Sequence, residues 1–266
     1  MNWILLRGLA RESRHWGDFP RALEAALPSA RVHALDLPGN GALHDRSSPT
    51  RVEDMADAYR AMAAKHAIAG PLAILGLSLG GMAAMSWASR YPGEVSSLVL
   101  VNTSARPWCA AHERLRPGAA LALARVALAS RTPERREAQV LRLVSANPDA
   151  HAMLPDEWAR YARERPVSLV NLARQLLAAA RFRASLRPPV AAVLVLASRG
   201  DRLVQVHCSM RLASAWNASL AIHPAAGHDL PLDDPGWVAA RIRDWQLDTQ
   251  ALSSAASTAS PQAPPM

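Results

Sequence analysis

The sequence predicts an α/β protein, with a mostly parallel sheet flanked by helices and a helical cap insertion. Three observations predict it. Short β-rich runs alternate with amphipathic segments over the first hundred residues, a long strand-free stretch interrupts the alternation, and the alternation then resumes.

The early runs are residues 3–6, 31–35, 72–75 and 97–101, each bounded by Gly, Pro or polar residues. Between them, residues 16–26, 52–66 and 81–90 repeat apolar side chains at three- and four-residue intervals, as a helix requires. This order implies right-handed crossovers and a parallel sheet covered on both faces. Residues 115–184 are rich in Ala, Leu and Arg, hold no convincing strand and are broken by Pro117, Pro133, Pro148, Pro155 and Pro166, so they read as a helical insertion. A strand at 190–197, a helix at 206–216, a strand at 220–223 and a closing helix at 235–245 follow. The expected division is a core of residues 1–104 and 188–247 and a cap of 105–187. Residues 248–266, dense in Ser, Ala and Pro, cannot offset their ordering entropy by burial and are expected to be disordered.

A length of 266 residues suits one such domain, and 50% hydrophobic with 20% charged residues excludes a disordered or membrane-spanning chain. The apolar start lacks a basic lead-in and a small-residue cleavage site, so it reads as a strand rather than a signal peptide. Cys109 and Cys208 lie in unrelated contexts with no metal-type spacing, and are expected as small buried hydrophobes in a cytoplasmic protein.

The net charge of +8 raises nucleic acid as a partner, so its placement matters. Residues 1–104 carry ten basic and nine acidic side chains, 105–187 fifteen and seven, and 188–266 five and six. The excess lies in the cap, where neither a reading helix nor an aromatic stacking pattern accompanies it. A small-molecule substrate is expected, with no nucleic acid and no membrane as partner. With Lys65 the single lysine, arginine is the ordinary cation of this chain; solvated arginines are weighed ahead of an anionic or carrier-bound substrate drawn to the cap.

The run at 72–75 leads into Gly76-Leu77-Ser78-Leu79-Gly80-Gly81 and a helix. This is GxSxG in the strand, turn, helix context that gives the motif meaning, with Ser78 as candidate nucleophile. Crowding at such a turn calls for glycine two residues to either side, and the first helical N–H, that of Leu79, can stabilise a developing oxyanion. Arg7-Gly8-Leu9 follows the first strand, and Asp36-Leu37-Pro38-Gly39-Asn40-Gly41 follows the second. Together the three motifs resemble the α/β-hydrolase superfamily over residues 1–247, in particular its capped carboxylesterase-like serine hydrolases. The resemblance implies that fold with shortened N-terminal strands, and makes Leu9 the second oxyanion donor. Arg7 stands where the family usually has histidine. Asp36 reads as a structural turn residue.

A serine hydroxyl needs a base, and imidazole suits that role near neutral pH. The family keeps the chain order serine, acid, histidine, which leaves His207, His223 and His228. His228, in the loop Ala226-Gly227-His228-Asp229 before the closing helix, matches the family position. The strand at 190–197 runs into Gly200-Asp201-Arg202-Leu203-Val204, which resembles the family's GDxxV turn and makes Asp201 the acid. The alternative acid position, after the strand at 97–101, holds Asn102, an amide. Asp229, Asp233 and Asp234 read as solvated or helix N-terminal charges.

The implied activity is hydrolysis of carboxylic ester or thioester bonds of small to medium acyl substrates, without metal or organic cofactor. The same triad also serves C–C bond and lactone hydrolysis and cofactor-free perhydrolysis, and a catalytically silent ligand-binding protein stands as a further alternative. Leu77, Trp108 and Trp158 are expected to wall the substrate pocket, with Met153 and Tyr161. Leu121, Val126, Leu128, Leu169, Leu172 and Leu176 read as helix packing.

Overall fold

The computed structural model describes residues 1–130, 132–190 and 192–258, with side chains as far as residue 251. Six strands form one parallel sheet: β1 (Asn2–Leu6), β2 (Arg31–Leu35), β3 (Leu72–Leu77), β4 (Val95–Val101), β5 (Ala192–Ser198) and β6 (Ser219–His223). Their spatial order is β2-β1-β3-β4-β5-β6. The chain runs outward from β1 to β2, then returns across β1 to β3, so the order reverses between β1 and β3. Parallel sheets of this kind bind ligands at the carboxyl ends flanking such a reversal. Leu6 pairs with Gly76 there, and Leu77 with Val101.

The central strands β1, β3, β4 and β5 are mostly apolar because both of their faces are covered. Ile4, Leu6, Ile74, Leu98, Leu100 and Val195 face α2 (Val52–Lys65), α3 (Leu79–Arg90) and α9 (Val206–Trp216). Their strand neighbours Trp3, Leu5, Leu75, Val99 and Leu196 face α1 (Phe19–Ala26) and α11 (Pro235–Thr258). The period of two along a strand thus divides one apolar run between two cores.

Between β4 and β5 lie the cap helices α4 (Ala111–Arg114), α5 (Pro117–Ala129), α6 (Pro133–Val144), α7 (Leu154–Glu164) and α8 (Leu169–Arg181). Three of the five prolines that break the sequence pattern sit in first turns of α-helices: Pro117 and Pro133 open α5 and α6, and Pro155 is the second residue of α7. Proline is tolerated there because a first-turn N–H has no intrahelical partner to lose. The short α10 (Leu230–Asp233) precedes α11.

Several boundaries shift from the sequence reading, among them α1, which starts at Phe19 rather than residue 16, and two shifts have consequences. The strand β3 reaches Leu77 and α3 begins at Leu79, so the intervening turn is Ser78 alone, at φ 55°. The closing helix continues to Thr258, so residues 248–258 are helical rather than disordered. Alanine and serine tolerate helix once a packed segment has nucleated it. The remainder of that expectation, residues 259–266, lies outside the described residues. Cys109 and Cys208 are both buried and share a small apolar cluster with Val204.

The elbow glycines are required by close approach. A Cβ on Gly80 would lie 2.1 Å from the Leu6 carbonyl oxygen, and one on Gly76 2.5 Å from that of Gly80. Both obstacles are backbone, which cannot step aside as a side chain can. Gly80→Ala is therefore expected to cost at least the roughly 1–3 kcal/mol of ordinary overpacking. Urea unfolding monitored by circular dichroism checks this, with Gly118→Ala, where a Cβ meets nothing within 4 Å, as the benign control.

Candidate active site

The carboxyl ends of β1, β3, β4 and β5 bring together the segments singled out in the sequence. Ser78 stands half-buried between β3 and α3. Its N–H donates to the Val101 carbonyl at 2.9 Å and its carbonyl accepts from Thr103 Oγ1 at 2.8 Å. Gly81 and Met82 N–H also close on that carbonyl, at 3.0 and 3.2 Å. These four bonds over-determine a backbone conformation that a non-glycine residue rarely adopts. Gly8 lies against it, since a Cβ there would stand 3.4 Å from Ser78 Cβ, and this places Leu9 one residue from the nucleophile. Leu79 opens α3 and so carries an N–H without an intrahelical partner.

Asp201 and His228 are 3% and 5% exposed, and His228 Nδ1 lies 2.7 Å from Asp201 Oδ2. The other carboxylate oxygen accepts from the N–H groups of Leu203 at 2.7 Å and Val204 at 2.9 Å, fixing the aspartate in its turn. Gly200 lets the acid turn meet the base loop, for a Cβ there would lie 2.6 Å from the Ala225 carbonyl oxygen. Burial pushes the His228 pKa down, but the Asp201 charge and hydrogen bond, assisted by Asp229, outweigh it and hold the pKa above the ordinary histidine value. Asp201 occupies Nδ1, so Nε2 is the ring atom left to meet a hydroxyl. Among the described residues no hydrogen bond engages the Ser78 hydroxyl, and the serine–histidine contact is not made in this structure.

Of the other histidines after the acid, His207 is exposed. His223 Nδ1 accepts from the N–H groups of Ala225 at 3.1 Å and Ala226 at 2.8 Å, which makes it a turn anchor. Asp36 likewise serves a turn, accepting from Ser13 N–H at 2.6 Å and Ala42 N–H at 2.9 Å.

Asn102 does more than sequence reasoning assigned it. It is 2% exposed at φ 44°, and its amide Oδ1 accepts from Ser198 N–H at 2.9 Å. Its Nδ2 donates to Ser198 Oγ at 3.0 Å and to the carbonyls of Gly227 at 3.2 Å and His228 at 2.9 Å. One side chain thus ties the end of the acid-bearing strand to the loop bearing the base. Asparagine suits it because an amide both donates and accepts, and because it tolerates left-handed backbone better than most residues. In Asn102→Ala each buried group left unsatisfied should cost roughly 1–3 kcal/mol. A lower urea midpoint at unchanged m-value would show it.

Two aspartates do more than the expected helix N-terminal charge, although Asp229 stands at the N-cap position of α10 and Asp233 within that short helix. Asp229 is 3% exposed and pairs bidentately with buried Arg7, whose guanidinium also lies 4.6 Å above the Trp16 ring. The residue that replaces the family's usual histidine therefore clamps the first loop to the loop carrying His228. Asp233 pins the cap to the same loop, accepting from Ser145 Oγ at 2.6 Å, Ala146 N–H at 2.9 Å and Gly227 N–H at 2.6 Å. Neither is solvated, because the partners that bury them come from distant segments. Asp234 is the helix N-terminal charge expected, with Oδ1 accepting from Trp237 N–H at 2.9 Å.

A cavity of about 330 Å3 opens between the cap and the loop after β1. Trp158, Tyr161 and Leu9 line it. Val126, Leu169, Leu172 and Leu176, read as packing, also line it, whereas Leu121 and Leu128 do not. Leu77 does not wall it: the alternation of β3 turns Leu77 into the core beside Leu75. Trp108 is also absent from its walls, and meets Trp216 edge-on at 5.6 Å. Met153 is 80% exposed. Among the described residues no cluster of three His, Cys, Asp or Glu side chains could hold a metal ion, and no helix is long and apolar enough to cross a membrane.

A doubly covered parallel sheet, a serine on a one-residue turn and a buried histidine–aspartate pair define a protein of α/β-hydrolase architecture. The chain belongs to the alpha/beta hydrolase family, whose sequence model matches residues 3–241. Among curated proteins it resembles the pimeloyl-[acyl-carrier protein] methyl ester esterase of Chromobacterium violaceum, 42% identical over 92 residues, covering 35% of this chain and 34% of that one. The esterase of the same name from Neisseria meningitidis serogroup C is 37% identical over 102 residues, covering 38% and 36%. The chain thus aligns with about a third of the length of these relatives. Among solved structures, a thermophilic esterase from Thermogutta terrifontis superposes with a TM-score of 0.72 at 22% identity, covering 93% of this chain and 90% of that one. The enol-lactonase from Burkholderia xenovorans LB400 gives 0.71 at 18%, covering 92% and 91%. At such identities these two share the fold alone.

Proposed function

We propose that the protein is a serine ester hydrolase that cleaves carboxylic ester or thioester bonds through an acyl-enzyme. The observation that carries this reading is the 2.7 Å contact between Asp201 and His228 at the sheet edge where the elbow presents Ser78. His228 Nε2 takes the Ser78 proton as Oγ attacks the acyl carbonyl, and Asp201 stabilises the imidazolium. The N–H groups of Leu79 and Leu9 hold the tetrahedral oxyanion, each worth about 3 to 4 kcal/mol in the barrier. The protonated histidine then releases the alcohol or thiol, and water activated by the same base frees the acid. The serine–histidine contact closes as substrate settles, since catalytic hydrogen bonds commonly tighten only in the Michaelis complex.

A fluorophosphonate probe tests the nucleophile: stoichiometric labelling of the wild type and none of Ser78→Ala are expected. Ester hydrolysis by an unlabelled wild type would overturn the reading. The acid limb gives a second check. The base must be neutral, and Asp201 holds its pKa above the usual 6.5, so kcat/KM should rise with pH through a midpoint above that value. A midpoint below it would show that desolvation outweighs the Asp201 charge at His228.

A carrier-bound acyl substrate is the finer reading, supported by the names of the curated relatives and by the arginine excess of residues 105–187. An anionic carrier drawn by that charge is attracted less as salt rises. For such a substrate kcat/KM should fall more steeply with salt than for a neutral ester of equal chain length, and equal slopes would leave the arginines as solvated cations.

A further inference from the structure

The buried ion pair between Arg7 and Asp229 joins parts of the site that the chain keeps far apart. Arg7 Nη1 donates to Asp229 Oδ1 at 3.2 Å and Nη2 to Oδ2, across 222 residues of sequence. Arg7 stands two residues before Leu9, and Asp229 directly follows His228. The main chain of Arg7 is also wedged against the elbow, since a Cβ on Gly80 would lie 2.6 Å from its carbonyl oxygen. The Trp16 ring, whose centre is 4.6 Å from the guanidinium carbon, supports the fork. The base loop is fixed independently to the end of α6, where Asp229 N–H donates to the Val144 carbonyl at 2.8 Å. A buried ion pair gains little stability over well-packed apolar side chains, because both charges lose their hydration. What two parallel hydrogen bonds add is a fixed distance and angle between the segments that carry them.

We infer that Arg7 and Asp229 are positioning residues, whose ion pair holds the oxyanion loop and the base loop in one frame around Ser78. The inference rests on the ester-hydrolase reading, with Leu9 as second oxyanion donor and His228 as base. Attack by Ser78 places negative charge at the Leu9 N–H and positive charge on His228 in one step. A misplacement of either loop therefore weakens stabilisation of the same transition state. The pair also sets two opposite charges beside the base. Burial lowers the His228 pKa and the Asp201 charge raises it, and beyond these Asp229 raises it and Arg7 lowers it. Asp233, in the same stretch of chain, is spent on Ser145, Ala146 and Gly227. Paired, Arg7 and Asp229 oppose each other and leave Asp201 as the dominant charge at the base.

The test compares wild type, Arg7→Lys and Asp229→Asn. Lysine keeps the charge without the fork, and asparagine keeps the shape without the charge. Three quantities are read on protein whose folded fraction is set by circular dichroism: kcat and KM for a p-nitrophenyl ester, the acid limb of kcat/KM, and Ki for a trifluoromethyl ketone of the same acyl chain. The Ser78 hydroxyl adds to that ketone, its proton passing to His228, and the hemiketal oxyanion stands where that of the ester would. In Arg7→Lys, kcat should fall about 10-fold or more with KM within about 3-fold, Ki should rise by a similar factor, and the limb should stay in place. In Asp229→Asn the limb should move to lower pH, because a charge that raises the His228 pKa is gone and Arg7 stands unopposed. A pair that only supports the fold would lower urea stability and move none of these. Unchanged kcat per folded molecule and Ki, or an unmoved limb in Asp229→Asn, overturns the inference while leaving ester hydrolysis intact. If one variant does not fold, the readouts of the other decide, and failure of both makes the pair a requirement of folding and overturns the inference. Should the wild type neither hydrolyse esters nor react with a fluorophosphonate, the ester-hydrolase reading fails, and NMR titration of the His228 ring decides the placement. A pKa lowered in Asp229→Asn and unmoved in Arg7→Lys then supports it, and a value unmoved in both overturns it.

Discussion

Ser78→Ala should reduce kcat toward p-nitrophenyl esters by about 10⁶-fold, as removal of the nucleophile does in serine enzymes whose triad acts as a unit. The loss should be chemical rather than structural. Everything that holds residue 78 is backbone: the Val101 carbonyl, the Thr103 hydroxyl and the first N–H groups of α3 all bond to its main chain. Alanine keeps these bonds and the same strained φ, so the unfolding free energy from urea titration should stay within about 0.5 kcal/mol of the wild type, as for a substitution that touches no packed feature. Activity within 100-fold of wild type would place the nucleophile elsewhere. An inactive but unfolded variant would show instead that the hydroxyl supports the elbow.

Asp201→Asn should lower kcat by about 10⁴-fold with little change in fold, as the corresponding substitution does in a serine protease. The asparagine oxygen can still accept from Leu203 and Val204, so the turn persists. Its N–H2 then faces His228 Nδ1 and donates to it, which places the ring proton on Nε2, where it cannot accept from serine. Loss of the charge that now raises the His228 pKa should also move the acid limb of kcat/KM downward. Asn102 cannot substitute for the missing acid, because its amide is spent on Ser198 and the carbonyls of Gly227 and His228. A downward limb shift separates an electrostatic role for Asp201 from mere support of the loop, which would change rate without moving the limb.

Legibility varied with the range of the forces concerned. The strands and the helices outside the cap were readable because apolar periodicity is local, and the GxSxG turn because Gly76 and Gly80 are the marks of crowding within one elbow. Asp201 and His228 were readable by motif and chain order, and the structure brings them to 2.7 Å. Arg7 and Asp229 were not legible as a pair, since 222 residues separate them and nothing in either segment announces the other. Asp233 looked like a helix cap until the segment after α6 supplied Ser145 and Ala146. For Asn102, the signal available was a polar residue closing an apolar strand, which tells of a role but not of its partners. The helix through Thr258 was missed because low apolar content was read as disorder, although a helix already anchored by Val238, Ile242 and Trp245 needs little more to continue.

By itself the sequence determined the layered sheet, the place of the elbow and the chemical identity of the candidate nucleophile, base and acid, because each is written in a short run of residues whose sterics or hydrogen bonding are self-contained. Only the tertiary structure decided which charges are buried and which leucines line a cavity rather than a helix contact. Burial is a property of what packs on a residue from elsewhere in the chain, and no local pattern encodes it.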